Sequence, residues 1–208
     1  VGIKMPKLAQ DQNVSPMSRA QSANKKLHAW PHRRPLLYRI FMSDASPAAI
    51  AVALPHGVSY CWDAGTCHLR YAWIGGFVDP MPVWKANGNG LAKIIGTRFW
   101  TGSKDFPFHK KTPSDFKPQF QGYRKIDGHP EFHYTIGDID IYERITALPS
   151  GMGLTRHFRI PDINYPLRIT IASKNTKVSK GKINQGVATL TSNEAQSFAI
   201  THHHAHGK

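Results

Sequence analysis

Cysteine, acidic residues and long apolar runs are scarce in this chain. Each scarcity argues against particular classes of protein. Its 208 residues include two Cys, and 13 Asp and Glu stand against 27 Lys and Arg. The longest apolar stretch is Ala48–Pro55, far short of the roughly 18 apolar residues of a bilayer-spanning helix. We therefore expect no membrane-spanning helix. No window carries a helical apolar stripe of useful length, which argues against a helical bundle.

Common enzyme signatures are also missing. The sequence has no Gly-x-Ser-x-Gly elbow, phosphate-binding loop or dinucleotide fingerprint. Asp138, Asp140 and Glu143 offer the paired carboxylates of a glycosidase. Asp138 and Asp140 would share a strand face, but apolar Ile139 and Ile141 lie between and after them, so we interpret Asp138–Glu143 as a strand with one solvated side. The sequence thus predicts a non-catalytic protein without a cofactor.

From Leu36 onward the chain is a succession of strand patterns. Apolar side chains recur at every second residue, as in Phe132, Tyr134 and Ile136, which is typical of a strand with one buried face. Turn sequences such as Asp-Gly separate the strands, and such short strands bury their apolar faces against a second sheet. We predict a mainly β fold, an antiparallel β-sandwich with long loops at 75–92 and 101–122. The predicted strands are Leu36–Met42, Ala49–Leu54, Val58–Trp62, His68–Ile74, Lys93–Trp100, Glu131–Ile136, Ile139–Ile145, Leu154–Ile160, Leu167–Ala172, Ile183–Leu190 and Gln196–Ile200.

Charge and proline divide the chain into three parts. Residues 1–40 hold eight Lys and Arg and one acid, which is half of the net charge of +14. We predict an extended basic N-terminal arm at 1–35, a β-sandwich domain at 36–200 and a His-rich C-terminal tail at 201–208. The arm either serves solubility or is attracted to nucleic acid, anionic lipid headgroups or acidic protein surfaces. Because no helix-turn-helix, zinc-finger or RNP-type pattern is present, we expect no nucleic-acid partner.

The cysteines bear on the cellular compartment. Cys61 and Cys67 flank Trp-Asp-Ala-Gly-Thr, whose Asp-Ala-Gly centre favours a turn, so we predict a disulfide, as expected in an oxidising compartment. Covalent haem attachment uses Cys-x-x-Cys-His, whereas five residues separate the two cysteines before His68. The chain begins with Val1 and lacks a secretory signal pattern, so we expect that a leader has been removed and that the protein lies outside the cytoplasm.

A longer segment resembles a protein family. It runs from Ser46 to Asp79 and continues through Trp84-Lys85, Asn87-Gly88 and Ile95-Gly96, with further similarity at 128–134 and 153–159. These residues resemble an uncharacterised periplasmic β-rich domain found beside c-type cytochrome modules in large proteins of planctomycete, acidobacterial and related bacteria. The resemblance implies a periplasmic setting near electron-transfer proteins and implies no activity. Since this chain has no cytochrome module, an association with haem proteins would be made between chains.

These observations favour a periplasmic, non-catalytic accessory subunit. We expect it to dock on a larger membrane-bound complex, respiratory or photosynthetic, that contains a c-type cytochrome. It would then associate with the membrane peripherally, through its partners. Trp30, Arg33, Arg34 and Trp84 are the predicted contacts, because aromatic and Arg side chains are favoured anchors in interfaces.

Two alternatives remain open, a carbohydrate-binding sandwich and a periplasmic metal or haem carrier. The first requires Trp side chains exposed side by side on one sheet face, where they stack on sugar rings. The second requires clustered imidazoles, which are good ligands for Cu(II), Ni(II) and Zn(II). The candidate side chains are Trp73, Trp84 and Trp100 for sugar, and His202, His203, His204 and His206 for metal.

Overall fold

A computed structural model describes residues 35–85, 90–111, 116–171 and 174–204. The strands are β1 (Leu36–Arg39), β2 (Ala49–Ala53), β3 (Val58–Asp63), β4 (His68–Ile74), β5 (Val78–Asp79), β6 (Lys93–Ile94), β7 (Thr97–Thr101), β8 (Phe108–His109), β9 (Pro118–Ile126), β10 (His129–Ile136), β11 (Ile139–Ala147), β12 (Gly153–Arg159), β13 (Leu167–Thr170), β14 (Thr176–Val178), β15 (Lys182–Asn184), β16 (Val187–Leu190) and β17 (Ser197–His203). The helical elements are a 3-10 turn (Pro55–Gly57), α1 (Met81–Lys85) and α2 (Ser192–Ala195). None of the helices in these ranges is long and apolar enough to cross a membrane.

The strands form three larger sheets and one two-stranded sheet. The first sheet has the order β1-β2-β3-β4-β7, the second β14-β17-β12-β11-β10-β9 and the third β15-β16-β13-β8, while β5 pairs with β6. Neighbouring strands in each sheet are antiparallel. The predicted mainly β, antiparallel fold is therefore confirmed.

The main core lies where the first sheet faces the other two large sheets. Tyr60 and Trp62 of β3 point into it from one side, and Phe132 and Tyr134 of β10 from the other. The rings of Trp62 and Phe132 stack with centroids 4.0 Å apart and planes 2° from parallel. Alternation along each strand brings these aromatic side chains to the facing surfaces, as in other sheet sandwiches.

The first sheet also buries its opposite face. Cys61, Tyr71 and Trp73 form a second apolar cluster there with Phe77 and Val78. The β5–β6 pair supplies Val78, and every residue of β2 is buried as a result. A strand covered on both faces has a continuous apolar sequence instead of an alternating one, which is the pattern of Ala-Ile-Ala-Val-Ala in β2.

The structure contradicts the predicted disulfide. Cys61 and Cys67 are both buried free cysteines. The Asp-Ala-Gly segment does form the turn between β3 and β4, but Cys61 packs in the second cluster and Cys67 in the main core. The two side chains therefore lie on opposite faces of the first sheet, whereas a disulfide needs Cβ atoms about 4 Å apart. Cys67 Sγ instead contacts the carbonyl oxygen of Ala64 at 3.7 Å.

Several strand boundaries differ from the prediction for local reasons. Gly96, at φ +131°, divides the predicted strand 93–100, and a Cβ there would lie 2.0 Å from the carbonyl oxygen of Ile74. Gln185 and Gly186 both adopt positive φ and turn the predicted strand 183–190 into the β15–β16 hairpin. Strand β9 occupies part of the predicted loop 101–122, and a register shift interrupts its apolar alternation. The last strand, β17, runs to His203, three residues into the predicted tail.

Candidate partner-binding surface

An apolar groove of about 390 Å³ lies along β1. One wall comes from β1 and the residues after it, and the other from α1, which is distant in sequence. Because β1 ends the described order of the first sheet, the groove lies at the margin of that sheet. We call this feature the β1 groove. It is lined by Leu37, Tyr38, Arg39, Ile40, Phe41, Pro47, Val83 and Trp84.

Local interactions hold α1 beside the groove. Asp79, at the end of β5, accepts a hydrogen bond from the backbone N–H of Met81 at 3.0 Å through its carboxylate. The backbone N–H groups of Val83 and Trp84 donate to the carbonyl oxygen of Pro80. Asp, Ser, Thr and Asn oxygens commonly satisfy free N–H groups at the start of a helix. The short helix is thus anchored by its first turn to the β5–β6 pair.

Trp84 has the most exposed large apolar side chain that the structure describes. Its relative exposure is 64%, whereas the side chain of Val83, its neighbour in the groove wall, packs partly against the second cluster. Water contact over a whole indole ring is unfavourable, and burying such a ring is worth about 2–3 kcal/mol. An exposed Trp beside a concave apolar surface is therefore typical of a binding site.

The charged side chains near the groove are mostly basic. Arg39 lines the groove and is exposed, and Lys85 follows Trp84 at the exposed end of α1. Lys93 is exposed on β6, opposite Asp79 of β5 in the strand register. A partner surface that is acidic around an apolar side chain is complementary to this arrangement.

The four predicted contact residues fall into two groups. Trp84 lies in the groove, while Trp30, Arg33 and Arg34 lie outside the described residues, as does the predicted arm apart from Pro35. Sequence reasoning missed the apolar residues of the opposite wall. The available signal was the run Leu-Leu-Tyr-Arg-Ile-Phe at 36–41, in which both alternating sets are largely apolar, as expected for an edge strand with a surface on each side.

The sugar-stacking platform does not form. Trp73 and Trp100 are buried, so of the three candidate Trp side chains only Trp84 is exposed. On the outer face of the second sheet, Tyr142 stacks against His133, with centroids 4.7 Å apart, and the guanidinium of Arg159 lies 3.8 Å from its ring centroid. His133 and Arg159 flank Tyr142 from the strands on either side. His133 and Arg159 therefore cover both faces of the Tyr142 ring, so this ring does not offer a free face for stacking on a sugar.

The candidate metal ligands do not converge in the part of the chain that is described. His202 is buried, accepts or donates a 2.9 Å hydrogen bond with Thr176 Oγ1 and packs on Trp100 with ring centroids 4.1 Å apart. His203 follows it in β17, so its side chain points to the opposite face of the strand. His206 lies outside the described residues. No group of three or more His, Cys, Asp or Glu side chains suited to a metal occurs among residues 35–85, 90–111, 116–171 and 174–204.

Glu143 is buried, whereas the sequence predicts a strand whose acidic side faces solvent. It is fully buried in the main core, where Arg156 Nε donates to one carboxylate oxygen at 2.6 Å and Trp62 Nε1 donates to the other at 3.0 Å. Tyr134 donates a longer hydrogen bond of 3.5 Å. These contacts enclose the carboxylate among its own protein donors. Glu143 therefore acts in packing and core polarity, and a substrate has no access to it.

No protein-family model, curated protein or solved structure matches this chain. The strongest feature for binding is the β1 groove, in which Trp84 and the basic residues Arg39 and Lys85 lie on one surface.

Proposed function

We propose that this protein is a non-catalytic periplasmic accessory subunit that docks on a larger membrane-bound electron-transfer complex. The observation that carries the docking role is the exposed Trp84 beside the β1 groove. The resemblance at residues 46–100 supplies the class of partner, a complex containing a c-type cytochrome. The partner holds the protein at the membrane surface.

The groove defines the chemistry of the partner surface. An apolar side chain of the partner enters beside Leu37 and Phe41, and Trp84 covers it. Burial of an exposed aromatic ring gives such a contact much of its free energy, while surrounding contacts exclude water. Acidic groups around the apolar side chain meet Arg39 and Lys85. The basic segment before β1 enlarges this positive field and accelerates the encounter with an acidic partner.

A binding experiment with membranes tests the groove directly. The purified chain and its Trp84→Ala variant are mixed with detergent-solubilised membranes of the source bacterium, and haem-bearing complexes are separated by size. We expect Trp84→Ala to weaken the association by about tenfold or more, since interface tryptophans commonly contribute 2 kcal/mol or more. The variant should fold normally because the side chain is largely exposed.

Ile183→Ala provides a matched control. Ile183 is another exposed apolar side chain, with 51% relative exposure, but it lies on β15 in the third sheet, away from the β1 groove. Its replacement should leave the association unchanged. Equal binding by the Trp84→Ala, Ile183→Ala and unmodified proteins would contradict a docking role for the groove. If the fraction that contains the bound protein shows no haem absorbance, the proposed class of partner is contradicted.

A further inference from the structure

A second cavity, unrelated to the β1 groove, lies inside the fold. It has a volume of about 20 Å³ and is bordered by residues of β4, β7, β12, β13, β14 and β17 and of the loop after β7. A volume of this size admits a single small occupant, such as one water molecule or one monatomic ion. The cavity thus lies where the first sheet meets the edges of the second and third sheets.

Three residues that border the cavity carry a buried side-chain nitrogen without a hydrogen-bond partner among the described residues. These atoms are Nη2 of Arg156, Nε1 of Trp100 and Nε2 of His202. All three side chains are more than nine-tenths buried. A buried polar atom left without a partner is destabilising by about 1–3 kcal/mol, and such atoms are rare in folded proteins. Three such residues border this one cavity, and an occupant that accepts hydrogen bonds would supply partners for their nitrogen atoms.

The chemistry of the three groups makes the cavity rich in donors. Arginine and tryptophan nitrogens only donate. The Nδ1 atom of His202 lies 2.9 Å from the hydroxyl oxygen of Thr176, and when that hydroxyl donates to Nδ1, the His202 proton is on Nε2. Burial, and to a smaller extent the Arg156 charge, hold the pKa of His202 well below its ordinary value, so the ring is neutral and has one N–H donor.

We propose that this cavity binds a single monatomic anion of the size of chloride, held by Arg156, Trp100 and His202. The proposal is independent of the docking function. An anion accepts from every donor at once, whereas water also requires acceptors for its two hydrogens. The Glu143 carboxylate accepts from Nε of Arg156 and balances its charge, while Nη2 keeps no hydrogen-bond partner among the described residues. Asp105, an exposed acid that also borders the cavity, weakens anion binding by repulsion.

Thermal unfolding of the full chain in different salts tests this site. Sodium bromide or chloride is titrated at constant ionic strength against sodium sulfate, whose tetrahedral anion is too large for the cavity. We expect a saturable rise of the melting temperature with halide, about 2–5 °C once halide exceeds its dissociation constant tenfold. Crystals grown in bromide should show an anomalous peak between Arg156 and Trp100.

Two substitutions and a control locate the effect. Trp100→Phe keeps the ring and removes one donor, so the halide response should weaken at least tenfold. Asp105→Asn removes a repelling charge at an exposed position and should tighten halide binding about two- to tenfold. The control is Trp73→Phe, because Trp73 Nε1 donates to the carbonyl oxygens of Gly76 and Phe77, remote from the cavity. It should lower stability and keep the halide response.

The outcomes separate the anion from other occupants. The absence of a saturable rise of the melting temperature with halide would overturn the proposal, as would a bromide crystal whose cavity holds only water. If Trp100→Phe does not fold, Asp105→Asn still decides, because an unchanged halide affinity in that variant would contradict an anion bound beside Asp105. A halide response that persists fully in Trp100→Phe would place the anion elsewhere and contradict this site.

Discussion

Glu143 and Arg156 form the most buried ion pair among the residues that the structure describes, with relative side-chain exposures of 0% and 4%. Removing both charges from water is unfavourable by several kcal/mol for each ion, and their attraction offsets this only when other hydrogen bonds complete the site. Trp62 supplies such a bond to the second carboxylate oxygen. The pair therefore links β11 to β12, and the Trp62 hydrogen bond links both strands to β3.

Substitution of Arg156 tests this interdependence. Arg156→Met leaves the Glu143 carboxylate buried without its charged partner and should lower the free energy of unfolding by about 3–5 kcal/mol. The double variant Arg156→Met/Glu143→Gln removes the isolated charge and should be more stable than the single variant. Urea unfolding at pH 7 measures both. A double variant that is less stable than Arg156→Met would contradict the argument.

Buried histidines make stability depend on pH. Burial holds the pKa of His202 well below its ordinary value of 6.5, with smaller contributions from Arg156 and His203. The unfolded chain therefore binds a proton more readily than the folded one. The resulting stability is present above about pH 6.5 and is lost as the pH falls toward the folded-state pKa. Burial also lowers the pKa of His68, so this residue adds to the same pH dependence.

His202→Asn should reduce this pH dependence. Asparagine can still accept from Thr176, so the variant should fold, with lower stability at pH 7.5 but a smaller loss between pH 7.5 and pH 5. Urea unfolding at both pH values and fixed chloride concentration measures the difference. His56→Asn, at an exposed position, is the control for removing a surface imidazole. An unchanged loss of stability in His202→Asn would show that other groups dominate.

At the scale of elements, the β3–β4 hairpin separates the two thiols. Burial raises the pKa of the Cys61 thiol to about 12, opposed by a hydrogen bond with Tyr71. Burial also raises the pKa of the Cys67 thiol to about 12. Cys67 adopts φ +54° in the turn just before β4, and its side chain packs in the main core.

Thiol labelling distinguishes this hairpin from the predicted disulfide. The folded chain at pH 8 should react slowly with a maleimide, because both thiols are buried and almost fully protonated. After unfolding in urea without a reductant, both cysteines should react rapidly and give two labels per chain by mass spectrometry. An unfolded chain that takes up no label until a reductant is added would contradict the free-thiol structure.

Elements with strong local patterns could be predicted from the sequence, and elements defined by distant contacts could not. Strands β2, β3 and β4 follow apolar runs and a turn sequence that are visible locally. Strand β9 was missed, because its Gln and Lys residues face solvent at a sheet edge and a bulge interrupts its alternation. The burial of Glu143 depends on Arg156 and Trp62, which lie 13 and 81 residues away in sequence.

The candidate site shows the same division. The sequence predicts Trp84 as a partner contact, and its side chain is exposed on the surface. The groove beside it was not predictable, because its walls come from residues 37–41 and 83–84, which the β5–β6 pair brings together. The sequence likewise does not show which elements cover each face of the first sheet, because both faces of its strands are apolar.

For the whole molecule, charge and the β1 groove act together. The net charge of +14 creates a positive field that extends about a Debye length, near 10 Å at 0.1 M salt. Raising the salt concentration from about 0.05 M to 0.5 M should slow association with an acidic complex at least tenfold. Surface plasmon resonance with the isolated complex measures this rate. A salt-independent association rate would contradict an acidic docking partner.

The most direct test of the docking role is the state of the native protein. Membranes are solubilised gently, complexes are separated by native electrophoresis, and the 23.3 kDa chain is located by mass spectrometry together with haem absorbance. We predict that the chain migrates with a haem-bearing complex at a fixed stoichiometry, and that Trp84→Ala shifts it toward the free form. A chain found only as a free monomer in the periplasmic fraction would contradict the proposed function.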